Sequence, residues 1–157
     1  MRTTIVCISD GSTFKAASQF KDAVMELNDY LQFYPADAEG WQEQAHLYIA
    51  AGRLDMAAFC LEELLLLRSE NYVHHLEYAE LLYTQGDVDV ARSYFAQAVE
   101  LNPACLRALY GLYLCTVHSK ARGAHVDRLQ KWSLRQILDA YRAHAPHLLS
   151  VVEAALS

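Results

Sequence analysis

The stretch "YTQGDVDVARSYFAQAVELNP", Tyr83 to Pro103, is either a lone amphipathic helix or one unit of a repeated structure. A lone helix needs only an apolar face and a polar one. Shifted back by 34 residues, the stretch falls on "IAAGRLDMAAFCLEELLLLRS", Ile49 to Ser69, so that Gly86 meets Gly52, Asp89 meets Asp55, Ala91 meets Ala57 and Phe95 meets Leu61. The same shift sets Leu81 on Leu47, Ala79 on Ala45 and Glu77 on Glu43, and a double shift sets Pro103 on Pro35. Self-similarity at this period marks an array of helix-turn-helix units.

Helix punctuation supports that reading. Asp37 is placed to cap a helix through "AEGWQEQAHLYIAA", Gly52 to end it in the left-handed region, and Asp55 to start "MAAFCLEELLLL". Asn71 opens "YVHHLEYAELLYTQ", which stops at Gly86; Asp87 or Asp89 caps "VARSYFAQAVEL", which stops at Asn102-Pro103. Proline ends a helix because it lacks the amide hydrogen and restricts the residue before it. Ala45, Ala57, Ala79 and Ala91 are small enough for close helix approach, while Leu47, Tyr48, Leu61, Leu81, Leu82 and Phe95 fill the space between neighbouring hairpins. The expected fold is therefore an all-α, tetratricopeptide-type solenoid in one domain over residues 1–157. Its units are a half repeat at 14–34, repeats at 37–69 and 71–103, a degenerate repeat at 104–144 and a cap at 146–157.

The degenerate unit begins with "ACLRALYGLYLCTV", whose Gly111 lies about two residues off the strict offset, and continues after the loop "HSKARGAH" into a helix from Val126 to Ala145. Pro146 ends that helix and "HLLSVVEAAL" is the expected cap. At the other end, "FKAASQFKDAVMELNDYLQFY" reads as a second helix lacking its first, so the array is expected to be cut off at its start, with an apolar end at Phe14 to Phe33.

Composition is that of a globular chain, 54% hydrophobic and 20% charged. Residues 1–105 hold 6 Lys/Arg against 16 Asp/Glu and residues 106–157 hold 7 against 3, an acidic body with a basic end. The acidic body, with no stacked aromatic pattern in the basic end, disfavours nucleic acid. Cys7, Cys60, Cys105 and Cys115 form no CxxC pair and read as free thiols of a reducing compartment. No apolar run reaches the roughly 18 residues of a membrane span, and "MRTTIVCISDG" lacks a signal-peptide core, so a cytosolic location is expected. His46, His74, His75, His118, His125, His144 and His147 make no metal-ligand set. Cys60 and Ser93 lie inside helices and not on a nucleophile elbow, so neither metal, cofactor nor catalysis is expected. Trp41 and Trp132 read as anchors between hairpins, and Glu62-Glu63 as a solvated face.

With the repeats in place, "MELNDYLQFYPADAEGWQEQAHLYIAAGRLDMAAFCLEELLLL", "YAELLYTQG", "ARSYFAQAVELN" and "RALYGLYL" closely resemble the family of subunit 2 of the endoplasmic reticulum membrane protein complex. The runs "AAFCLEEL" and "RALYGLYL" are the specific part, since a generic repeat does not require them. The resemblance covers about Met25 to Leu114 well and the carboxyl end loosely; the segment Lys120 to His125 departs from it, and the family's earlier repeats are not matched. It implies a non-catalytic scaffold, peripheral on the cytosolic face of the endoplasmic reticulum and held there through partners. Those partners are a cytosolic subunit and the cytosolic parts of membrane subunits, in a complex that inserts tail-anchored and multi-pass proteins.

In a tetratricopeptide superhelix the first helix of each pair lines the concave groove. The expected partner-groove residues are Gln42, His46 and Ile49, then Leu76, Glu80 and Tyr83, then Arg107, Tyr110 and Leu114. Their mix of aromatic, aliphatic and few charged groups suits an amphipathic helix or an extended segment. A basic face at Arg122, Arg128, Lys131 and Arg135 is expected to turn toward an acidic neighbour, although a solvated helix surface accounts for the same charges. The rival is a free-standing peptide adaptor or co-chaperone that clamps a terminal carboxylate. Such a clamp needs several converging donors, and the groove offers one arginine, Arg107, beside Glu80.

Overall fold

The 34-residue spacing of caps and small residues becomes a stack of helices in the computed structural model, which describes residues 13–120 and 123–156. The described helices are α1 (Thr13–Phe33), α2 (Ala38–Ala50), α3 (Leu54–Leu67), α4 (Tyr72–Gln85), α5 (Val88–Leu101), α6 (Leu106–His118), α7 (Ala124–His144) and α8 (Leu149–Leu156). Helix α2 pairs with α3, α4 with α5 and α6 with α7, and each pair packs on the next, with α1 against α2 and α8 against α7. The fold is a tetratricopeptide solenoid whose last described helix, α8, packs on α7, and Tyr113 Oη donates to the Leu156 carbonyl at 2.8 Å.

Local chemistry sets most boundaries. Asp37 Oδ1 accepts from the Glu39 amide and Asn71 Oδ1 from the Val73 amide, both at 3.1 Å, capping α2 and α4. Gly52 (φ 69°) and Gly86 (φ 94°) turn the chain after these helices in the left-handed region, which costs a side chain with a Cβ. One expected cap is corrected. Arg53 precedes α3, and Asp55 lies within its first turn, where its charge meets the positive helix end. Of the two residues expected at the start of α5, Asp87 takes the cap position without a side-chain hydrogen bond, and Asp89 accepts from Arg92 Nη1 at 2.8 Å and Ser119 Oγ at 2.7 Å. The last segment is also divided: Pro146 opens a 3₁₀ turn, Pro146–Leu148, before α8 begins.

The core runs the length of the stack. Ala45, Ala57, Ala79, Ala91, Ala98 and Ala108 are fully buried where helices cross, and Leu61, Leu64, Leu112 and Ile137 fill the intervening volume. Burying a leucine side chain contributes about 1.5–3 kcal/mol, so the spacing of these residues, and no single contact, holds the stack. Polar links stitch the layers. Tyr78 Oη donates to Glu62, whose neighbour Glu63 is half-buried, and Trp41 Nε1 donates to the Pro35 carbonyl at 2.8 Å while its ring meets Phe59 edge-on. Met25, Phe33, Tyr34 and Phe59 leave apolar surface exposed around α1 and α3.

Candidate functional site

The first helices of the three pairs, α2, α4 and α6, present their outward faces side by side. Two contiguous recesses lie along them. One, of about 340 Å³, is bounded by His46 and Ile49 of α2, Leu54 at the start of α3, Glu77, Glu80, Leu81 and Thr84 of α4, and Arg107 of α6. The other, of about 440 Å³, shares Glu80, Thr84 and Arg107 and extends over Gly111 between Tyr83, Tyr110, Leu114 and the edge of Phe95. A partner segment lying across the three helices would cross both.

Arg107 donates from Nε to Glu80 Oε1 at 2.5 Å and from Nη2 to Oε2 at 2.6 Å, so the groove's one arginine is already matched by a carboxylate from the preceding repeat. Tyr83 Oη and His118 Nδ1 are 2.6 Å apart, tying the ends of α4 and α6 together. Burial raises the Tyr83 phenol, and burial together with a hydrogen bond to Tyr141 pushes Tyr110 up to about 12, so both present neutral hydroxyls at physiological pH. His46 Nε2 lies 3.5 Å from Glu77 Oε1, while Glu77 Oε2 is buried without a partner.

Seven of the nine groove residues expected from the sequence, His46, Ile49, Glu80, Tyr83, Arg107, Tyr110 and Leu114, line these two recesses. Gln42 is half-buried and lines neither. Leu76 is corrected: it is 4% exposed and packs in the core, because the surface of α4 one turn before Glu80 is covered where the pairs stack. Glu77 and Thr84 were missed, although they sit at i−3 and i+4 from Glu80 and so share its helix face. Phe95 and Gly111 were placed as packing residues, yet they also floor the second recess.

On α7, Arg128, Lys131 and Arg135 are exposed, and Arg122 lies outside the described residues. Trp132, expected as an anchor between hairpins, is 44% exposed, because Val126, Ser133 and Ile137 take the inward face of α7. It edges a third recess, of about 350 Å³, between α5 and α7, the second helices of neighbouring pairs. Cys60 and Cys115 are buried thiols pushed up to about 11 and about 12 by desolvation, which makes them poor nucleophiles. Among the described residues no three His, Cys, Asp or Glu side chains gather as a metal-holding group, and no helix is long and apolar enough to cross a membrane.

Stacked helix pairs, left-handed glycines between helices and a groove built from first helices define the class as a tetratricopeptide-repeat solenoid. Residues 4–100 match the family model described as the EMC2 TPR-like repeat domain. The chain belongs to that family. It is 38% identical over 138 residues to ER membrane protein complex subunit 2-B of Xenopus laevis, covering 82% of this chain and 46% of that protein. It is 31% identical over 143 residues to ER membrane protein complex subunit 2 of Dictyostelium discoideum, covering 80% and 44%. The chain thus spans a little under half the length of these relatives. Among solved structures, a MamA fragment from Desulfovibrio magneticus RS-1 superposes with a TM-score of 0.66 at 15% identity, covering 95% of this chain and 87% of that one, a likeness of fold alone.

Proposed function

We propose that the chain is a non-catalytic scaffold of an endoplasmic reticulum membrane protein complex, holding a partner subunit's segment in the groove of α2, α4 and α6. It acts from the cytosolic face, peripheral to the membrane through its partners, and supports insertion of tail-anchored and multi-pass proteins by keeping the complex assembled. The repeat units lie at 37–69, 71–103 and 104–144, with a half repeat at 14–34 before them and the cap at 146–157 after them. Family membership supports the setting, and the contiguous, largely apolar pair of recesses across three helices supports the mode of binding. Ile49 and Leu114, at 40% and 38% exposure, offer apolar contact at either end of the groove. Against a carboxylate-clamping adaptor stands the pairing of Arg107 with Glu80, which leaves no unmatched arginine in the groove.

The test is quantitative mass spectrometry of what co-purifies with the tagged chain from detergent-solubilised membranes, beside an Ile49→Glu, Leu114→Glu variant with an unchanged thermal melt. The reading expects a stoichiometric set of multi-pass membrane subunits with the parent chain and their loss with the variant. Chaperones alone, or recovery indifferent to the variant, would overturn it.

A further inference from the structure

The recess between α5 and α7 is not part of the groove and has its own chemistry. Its walls are apolar: Val99 of α5, Leu112 of α6, and Leu129 and Trp132 of α7, with Glu100 on the α5 side. Trp132, at its edge, is 44% exposed. Arg128, Lys131, Trp132 and Arg135 stand at i, i+3, i+4 and i+7 of α7, which puts three cations and the indole along one helix face. Arg128, Lys131 and Arg135 have no ion-pair partner among the described residues, whereas Arg142 further along is matched by Asp139 at 2.8 Å. An apolar recess edged by a half-exposed tryptophan, with three exposed cations on the same helix face as that tryptophan, is the arrangement of an interaction hot spot.

We propose that this recess is a second docking surface, one that takes an acidic amphipathic segment of a partner protein. Its apolar side chains enter between Val99 and Leu129 and cover Trp132, while its carboxylates meet Arg128, Lys131 and Arg135. Charge complementarity selects the occupant: three exposed cations stand beside Trp132 on α7 against the single Glu100 carboxylate of the lining, so the α7 side favours a segment that carries carboxylates. Shape separates it from a lipid surface. A membrane-binding face needs apolar side chains that protrude into the acyl boundary, and here the apolar groups line a recess with the Glu100 carboxylate beside them. The surface is independent of the groove, so either can fail without the other.

The experiment selects peptides from a displayed random library on the immobilised full chain and measures each recovered peptide by fluorescence anisotropy at low and high salt. The comparison is between the parent, Lys131→Glu with Arg135→Glu, and Trp132→Ala. All three positions are exposed, and a thermal melt of each variant checks the fold. The expected result is peptides carrying a large apolar residue beside Asp or Glu, whose affinity falls about tenfold on the double charge reversal and again at high salt. Trp132→Ala weakens the same peptides, while Ile49→Glu in the groove does not. Peptides without acidic residues, or affinities indifferent to the charge reversal, would overturn the proposal. So would sedimentation of the chain with phosphatidylserine-containing vesicles when no acidic peptide binds, or concentration-dependent self-association that the charge reversal abolishes, which would make the occupant a membrane or a second copy.

Discussion

Arg107 and Glu80 meet across neighbouring repeats as a two-point fork, with both carboxylate oxygens engaged by one guanidinium. The pair bridges α4 and α6 where the two recesses meet, so it braces the stacking of one helix pair on the next. Because Arg107 is 67% and Glu80 33% exposed, solvent screens the interaction. A double-mutant cycle of Arg107→Ala and Glu80→Ala is expected to give a coupling of about 0.5–1 kcal/mol in urea unfolding at low salt, falling as salt rises.

Gly111 carries a different constraint. A Cβ built there would come well under 3.0 Å from the Phe95 ring, with backbone of α6 on one side and a buried ring on the other. In an exposed helix, glycine to alanine stabilises by about 1 kcal/mol. Here Gly111→Ala is expected to destabilise by about 1–3 kcal/mol through overpacking, and Phe95→Leu in the same chain to recover part of it. Chemical denaturation of the parent chain and the two variants reads the sign.

Leu76 and Leu114 separate core from groove. Leu76 at 4% exposure should cost about 2–5 kcal/mol when replaced by alanine, because a cavity is left behind. Leu114 at 38% exposure should shift stability by no more than about 0.5 kcal/mol under the same change, while reducing partner recovery. Equal losses of stability would place Leu114 in the core.

His74 makes the fold sensitive to mild acid. It is buried on α4, its Nε2 receives Asn71 Nδ2 at 3.0 Å, its Nδ1 is buried without a partner, and burial lowers its pKa below 6.5. The unfolded chain therefore takes up the proton first. The contribution of neutral His74 is intact above about pH 6.5 and is lost as the pH falls from there through the lowered native value. The chain's midpoint of thermal unfolding is expected to drop over that window, and the drop to shrink in His74→Gln, measured by circular dichroism at matched salt.

How far the sequence could be read follows from the range of the forces involved. Asp37 and Asn71 as caps, Gly52 and Gly86 as turns, and the buried Ala45, Ala57, Ala79 and Ala91 were legible because each depends on residues within one or two helical turns or on the strict 34-residue period. Asp55 was misjudged because α3 begins at Leu54 after Arg53 with no side-chain cap, so no capping residue marks its true start. Leu76 was misjudged because the same helix face is open at Glu80 and covered one turn earlier.

The helical repeat, its small crossing residues and its family kinship were settled by pattern alone, since helix periodicity and capping are local and recur wherever the period recurs. Only the stacking of the pairs decided that Arg107 would reach Glu80 across 27 residues, that Tyr83 would find His118 across 35, and that Trp132 would stay half open beside an apolar recess. These contacts depend on the angle at which one hairpin packs on the next. That angle is the summed outcome of many side-chain volumes along the stack, and no single segment of the chain encodes it.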